Sequence, residues 1–410
     1  MRGRVIGSVL VLLVLAMPSF AQRRRATGPP PPQGGGNNNP PAPAPALGGP
    51  VAGLTAAQQQ LFNEGRDEFR EDEEVVDGLG PIFNGRSCVE CHNAGAPGGA
   101  GRRTVTRFGT VTNGAFNPLT NLGGSLLQER AIGPREGSPR PFTREIVPAA
   151  ATVVARRRTP ALFGLGLVDA TTDATFIALA QQQAARNDGT AGRAALVQNI
   201  LAGMRTVGKF GWKNQNPTLF QFSGDAYLNE MGITSPHFPD ENCANGNCAE
   251  LAFNPAPGLN DGGGEVQALA DFMVMLAPPA RGAITADVTA GEAVFTQIGC
   301  ASCHVATLQS GASNIAALNR QTYHPYSDFL LHDMGSLGDG IAQGDAGRND
   351  IRTAPLWGLR TFPTFLHDGR ANSIEDAIRA HDGQGRASRN RFNALNATQR
   401  QRLLAFLNSL

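Results

Sequence analysis

Apolar positions recur at helical spacing in several separated stretches of the chain, and no long apolar–polar alternation of the kind a half-buried strand needs is visible. Gln58 to Arg70 predicts one helix. Glu265 to Leu276 carries Val266, Leu269, Phe272, Met273 and Leu276 on one face and is stopped by Pro278-Pro279. Val288 to Ile298 predicts another. Ser373 can cap a helix with Asp376 at the capping-box position, and Ile374, Ala377, Ile378 and His381 then share one buried face. Thr398 can cap a terminal helix bearing Leu403, Leu404, Phe406, Leu407 and Leu410. The 50 glycines and 28 prolines spread between these stretches imply long loops. The pattern therefore predicts a mainly α, loop-rich fold.

The start of the chain differs from the rest. Arg2 and Arg4 precede an apolar run from Val5 to Met17, and Ser19-Phe20-Ala21 offers a cleavage site. Residues 1–21 read as a secretory signal, because the run is short for a membrane anchor. Residues 22–50 hold Arg23-Arg24-Arg25, a Pro29–Pro32 run, Gly34-Gly35-Gly36 and a Pro/Ala tract, a composition that builds no core. They read as a linker. No later stretch is apolar enough to cross a membrane, and a net charge of +1 argues against nucleic acid as a partner.

The chemistry is concentrated in two pentapeptides, Cys88-Val-Glu-Cys91-His92 and Cys300-Ala-Ser-Cys303-His304. C-x-x-C-H attaches c-type haem: two thiols form thioethers and the adjacent imidazole binds the iron. A zinc site or a thioredoxin-like dithiol would also use paired cysteines. Zinc, however, wants four convergent ligands, whereas each pair here has its own His and the pairs lie far apart. Covalent haem attachment agrees with export, and both place the mature protein in the periplasm or outside the cell. Cys243 and Cys248 flank the turn sequence Ala-Asn-Gly-Asn and read as a small-loop disulfide, with a redox-active dithiol as the other reading.

The surroundings of the two motifs repeat. Gly65-x-x-x-Phe69 precedes the first and Gly291-x-x-x-Phe295 the second. Downstream, Arg158-Thr159-Pro160 is echoed by Arg352-Thr353-Ala354-Pro355, and Phe210-Gly211-Trp212-Lys213 by Phe365-Leu366-His367-Asp368. The expected organisation is two cytochrome c-like haem domains from an internal duplication, residues 51–281 and 282–410, with the boundary near 278–284.

A second axial ligand decides whether a haem carries electrons or does chemistry. The chain has seven histidines. His381, at the end of an apolar stripe, is the first choice opposite His304; Met334, in His332-Asp333-Met334-Gly335, competes. His332 and His367 are each followed by Asp and could hydrogen-bond a propionate or a ligand. Between His92 and His237 there is no histidine, and between Met17 and Met204 no methionine. The first haem is therefore the candidate for a reactive iron, with Glu230 as a possible acid/base and Gln221 as a possible hydrogen-bond partner.

At these residues the chain resembles the bacterial di-haem cytochrome c peroxidase superfamily, most of all the branch of di-haem oxidoreductases or thiol oxidoreductases, over about residues 58–410. The specific pieces are Gly78-Leu79-Gly80-Pro81-Ile82-Phe83-Asn84, Phe210-Gly211-Trp212-Lys213, Tyr326 to Gly335, and Phe365 to Ala371. The resemblance implies a peroxidatic first haem and an electron-passing second haem. Trp212 would lie between them, and Glu230-Met231 and Gln221 would stand on the distal side of the first. His381 matches a position that often supplies Met, which implies bis-histidine ligation. The resemblance also implies calcium, with no ligands assignable. The expected activity is reduction of hydrogen peroxide or another small oxidant, with electrons from a small redox protein. Oxidation of a partner through a high-valent di-haem state and pure electron transfer are the alternatives.

Overall fold

The first core helix, α1 (Ala56–Glu68), starts where Thr55 and Gln58 cap each other reciprocally and satisfy two otherwise orphaned backbone groups. The computed structural model describes residues 45–410. The predicted signal and most of the predicted linker lie outside the described residues. Those residues continue through α2 (Leu165–Asp169), α3 (Asp173–Arg186), α4 (Leu219–Met231), α5 (Gly264–Met275), α6 (Ala286–Gln297), α7 (Ile374–Ala380), α8 (Arg386–Asn393) and α9 (Ala397–Asn408). None of these helices is long and apolar enough to cross a membrane.

The five predicted helices form within two residues of their expected bounds. The last is capped by Asn396, not Thr398: Asn396 Oδ1 accepts from Gln399 N at 2.9 Å and Gln399 Oε1 from Asn396 N at 3.2 Å. The linker expected through residue 50 also ends sooner, because Pro50 pairs with Leu276 and Ala277 N donates to Gly49 O at 3.0 Å. Cys243 and Cys248 form the expected disulfide.

The mainly α reading is incomplete, because the described residues also form short strands. Thr104–Thr112 pairs antiparallel with Ala115–Asn117 and with Val153–Arg158, making a three-stranded sheet. A hairpin joins Ala195–Asn199 to Met204–Gly208. The longest strand, Thr-Val-Thr-Arg-Phe-Gly-Thr-Val-Thr, is rich in β-branched residues. It lacks the clean apolar face that makes a strand obvious, because its inward positions include Gly109 and Thr106.

The repeated Gly-x-x-x-Phe has one physical meaning in both places. A Cβ on Gly65 would stand 2.0 Å from Ala268 O on α5, and one on Gly291 1.9 Å from Arg402 O on α9. Each glycine lets its helix touch the partner backbone. Each phenylalanine then stacks on the partner helix, Phe69 on Phe272 at 4.8 Å and Phe295 on Phe406 at 5.2 Å. The far edge of each reaches the motif histidine, His92 at 6.1 Å and His304 at 6.3 Å.

Two apolar clusters follow these helix pairs. One gathers α1, α2, α4 and α5 but also takes Leu308, Leu318, Tyr323, Phe329, Leu330 and Trp357; the other lies around α6 and α9. Between them the chain exchanges hydrogen bonds reciprocally. Arg158 N donates to His367 O at 2.6 Å and Arg158 Nε to Leu366 O at 3.2 Å. Arg352 N donates to Trp212 O at 2.9 Å and Arg352 Nε to Gly211 O at 2.8 Å. Asp339, buried, adds ion pairs to Arg157 at 2.7 Å and Lys213 at 2.9 Å.

Candidate functional site: two cavities behind the C-x-x-C-H turns

Each motif forms a single tight turn. His92 N donates to Cys88 O at 2.8 Å and His304 N to Cys300 O at 3.0 Å. The turn puts both thiols and the imidazole of each motif on the wall of one cavity, about 1160 Å³ at the first motif and about 1370 Å³ at the second, mouths included. Cys88, Cys91, Cys300 and Cys303 are unpaired. Burial pushes the Cys88, Cys91 and Cys300 thiols above their ordinary range, and it pulls His92 and His304 down to about 4. Both imidazoles are therefore neutral, the form that binds a metal.

The second cavity brings together two imidazoles with the donor atoms that one haem iron could take. His304 Nδ1 pairs with Tyr326 O at 2.9 Å, and His381 Nδ1 with Ala377 O at 2.7 Å. Each carbonyl holds the Nδ1 proton and leaves Nε2 as the free lone pair. The two rings stand 6.5 Å apart, centre to centre. An imidazole nitrogen sits about 2 Å from its metal and the ring centre about 1 Å beyond, so rings on opposite sides of one iron stand about 6 Å apart. Helix α7 ends at Ala380 and His381 has extended backbone, ψ 134°. The ring is thus delivered by the helix end, not from within the helix as the spacing predicts. Met334 lines the same cavity. His332 is tied to Asp328 at 3.0 Å and to Gln384 at 3.0 Å. Burial opposes its charge, but the Asp328 carboxylate outweighs burial and raises its pKa well above the ordinary value. His367 Nε2 is buried without a partner and faces the cavity.

The first cavity is lined differently. His92 is its one histidine among the described residues. Helix α4 lines it with a broad face that includes Phe222, Asp225, Ala226, Tyr227, Asn229 and Glu230, and α5 adds Met273. Glu230 Oε2 accepts from Asn84 Nδ2 at 3.0 Å. Burial raises the Glu230 carboxyl against the pull of Arg107 and Asn84, so this side chain holds a proton more tightly than a free glutamate. Gln221 does not join it. Nine helical positions before Glu230, it faces the opposite side of α4. Its Nε2 donates to Gln198 O at 3.1 Å and its Oε1 accepts from Ile200 N at 3.0 Å, so its amide braces the hairpin instead.

Three polar groups on this wall escape a reading of the sequence. Arg107 Nε, Arg157 Nη2 and Gln215 Oε1 are buried without hydrogen-bond partners. Unpaired buried guanidinium donors are costly, and the carboxylates of a haem would satisfy them. Both arginines lie on strands missed in the sequence, which is why they gave no signal.

Trp212 and Arg158 line both cavities. The indole Nε1 donates to Arg158 O at 2.7 Å and the ring lies edge-on to His367 at 6.2 Å. Trp212 is thus the shared wall.

The family model described as "Di-haem oxidoreductase, putative peroxidase" matches residues 143–410, which include the second motif, Trp212 and Glu230 but not the first motif. No match is found among curated proteins. Among solved structures, the chain is similar to hydrazine synthase of Kuenenia stuttgartiensis, at 14% identity over 96% of this chain and 100% of that one, TM-score 0.38. It is similar to a MauG-like protein associated with microbial copper homeostasis, at 15% identity over 92% and 95%, TM-score 0.39. It is also similar to the diheme peroxidase BthA of Burkholderia thailandensis, at 17% identity over 86% of each chain, TM-score 0.38.

Proposed function

The chain belongs to the di-haem oxidoreductase family and is an oxidoreductase with two haem cofactors, and from that premise we propose that it is an exported c-type enzyme that reduces hydrogen peroxide at the first cavity with electrons relayed through the second. The observation that carries this reading is the asymmetry of the two far walls. A second imidazole faces the motif histidine in one cavity, and a proton-holding carboxyl stands in the other.

Cys88, Cys91 and His92 would hold the first haem, and Cys300, Cys303 and His304 the second, with His381 opposite. Bound haem supplies the redox chemistry. Glu230 has one oxygen occupied by Asn84 and the other without a protein partner. It holds a proton at Oε1, hands it to the departing oxygen of peroxide, and recovers one from solvent, as a general acid whose burial has raised its pKa. Trp212 gives a continuous packed path between the cavities. The reciprocal Arg158 and Arg352 contacts and the two Gly-x-x-x-Phe crossings support an origin by duplication, with halves at 51–281 and 282–410. The Cys243–Cys248 disulfide supports an oxidising compartment. The electron donor would be a small redox protein.

The test is Glu230→Gln in the haem-loaded enzyme. Peroxide turnover should fall about 100- to 10,000-fold, the usual worth of a general acid, while cyanide binding to the first haem changes little, because cyanide needs no proton relay. If the wild-type protein leaves peroxide untouched and both haems are low-spin, it is an electron carrier instead.

A further inference from the structure

Three carboxylates converge on one buried phenol at the edge of the first cavity. The Tyr227 side chain is 1% exposed and lines that cavity from α4. Its hydroxyl lies 2.8 Å from Glu73 Oε1, 2.8 Å from Glu265 Oε2 and 3.4 Å from Glu68 Oε1. A phenol has one proton to donate. It can serve only one acid at a time, so the three carboxylates compete for it. No arginine or lysine forms an ion pair with Glu68, Glu73 or Glu265 among the described residues, and Glu71, Asp77 and Asp261 add negative field nearby. Burial, with the neighbouring carboxylates, raises Glu68 and Glu73 to about 7, poised to take or give a proton near neutral pH. The same two acids push up the Cys88 thiol, which places their field at the turn that carries the first haem.

We propose that Tyr227 is a redox-active tyrosine that gives an electron to the first haem site and its phenolic proton to the Glu73 carboxylate. The inference rests on the peroxidase reading above for its oxidant. Reduction of one hydrogen peroxide to two waters takes two electrons and two protons. One electron leaves Tyr227, whose O–H bond breaks to give a neutral phenoxyl radical and a protonated Glu73; the bound haems would supply the other, and the two protons reach peroxide from Glu230 and solvent. The electron donor later reduces the radical, and Glu73 returns the proton. The uncompensated negative field favours loss of the electron, and the hydrogen-bonded base removes the need to form a charged phenol radical cation. The cluster then serves as a store of one oxidising equivalent, available when no donor is docked.

The chain has three tyrosines, Tyr227, Tyr323 and Tyr326, so the radical can be assigned by elimination. The haem-loaded protein is mixed with peroxide without donor and frozen for electron paramagnetic resonance, with and without ring-deuterated tyrosine. The expected result is a tyrosine radical in the wild type, Tyr323→Phe and Tyr326→Phe that is absent in Tyr227→Phe. Glu73→Gln should slow its formation at least tenfold and abolish the solvent deuterium effect on that step. Resting haem spectra of the variants report folding. A radical that survives Tyr227→Phe, or a first haem that consumes peroxide without any tyrosine radical, overturns the proposal. If peroxide leaves the first haem unchanged, the peroxidase reading fails separately. Flash photo-oxidation with an added ruthenium complex then decides on Tyr227: its radical upholds the redox role, and its absence ends it.

Discussion

The two haem cavities are built from the same parts and finished differently. Each has a C-x-x-C-H turn, a helix crossing closed over a glycine, and a phenylalanine between that crossing and the motif histidine. They diverge on the opposite wall. Behind His304 stands the end of a short helix, which projects His381 toward it. The cavity of His92 is lined by the side of a long helix, which can present several groups at once: Phe222, Tyr227 and Glu230. A helix end delivers one side chain across a cavity, whereas a helix side delivers an arranged surface. The first arrangement suits a closed coordination sphere, and the second suits chemistry.

The largest expected effect comes from removing one attachment turn at a time. The double substitution Cys88→Ala/Cys91→Ala should abolish peroxide turnover and halve the acid-stable haem measured by mass. Cys300→Ala/Cys303→Ala should also halve the haem but leave cyanide binding at the first site. Equal loss of cyanide binding in both variants would erase the distinction between the cavities.

His381→Ala should convert the second haem from low-spin to high-spin in its absorption spectrum, while Met334→Ala leaves it low-spin. The reverse result would move the ligand to Met334.

Asp339→Asn addresses the seam between the halves. Removing this carboxylate strands Arg157 and Lys213 as buried cations, a loss of about 3–5 kcal/mol in chemical denaturation. Burial alone would raise Asp339, but Arg157 and Lys213 outweigh it and hold the folded pKa below the ordinary value. Its stabilisation is therefore present above about pH 3.9, the unfolded value, and is lost as pH falls through the lower folded one. The variant should lack that acid-side loss.

The smallest effects test the shared helix crossings. Gly65→Ala and Gly291→Ala each force a methyl into a carbonyl oxygen of the partner helix and should cost about 1–3 kcal/mol. Gly65→Ala should perturb the spectrum of the first haem only, and Gly291→Ala that of the second.

What the chain declares on its own is whatever depends on neighbours in sequence. The C-x-x-C-H turns close within five residues, the 243–248 disulfide spans one loop, and Gly-x-x-x-Phe lies on a single helical face; all three were legible. Helical periodicity also placed the five predicted helices within two residues, with the Ser373 cap right and the Thr398 cap two positions late, and it carries His381 close to its final site. The same period turns Gln221 away from Glu230 on α4 and puts Tyr227 on the Glu230 face. What crosses between elements was not legible. The strand 104–112 hides its pairing because two of its three buried positions, Thr106 and Gly109, are small or polar, so Arg107 and Arg157 gave no sign of lining the first cavity. The acids around Tyr227 come from α1, from the loop after it, and from α5 nearly 200 positions later. Nothing local marks them as a group, because only packing α1 and α5 against α4 brings their charges within reach of one hydroxyl. Likewise Trp212 becomes a shared wall only when Arg352, from the other half, bonds its carbonyl and pins the ring between the two cavities. Local sequence thus determined which groups can hold haem. Long-range packing decided what each haem faces, because the groups on the far walls come from elements that meet only in the folded chain.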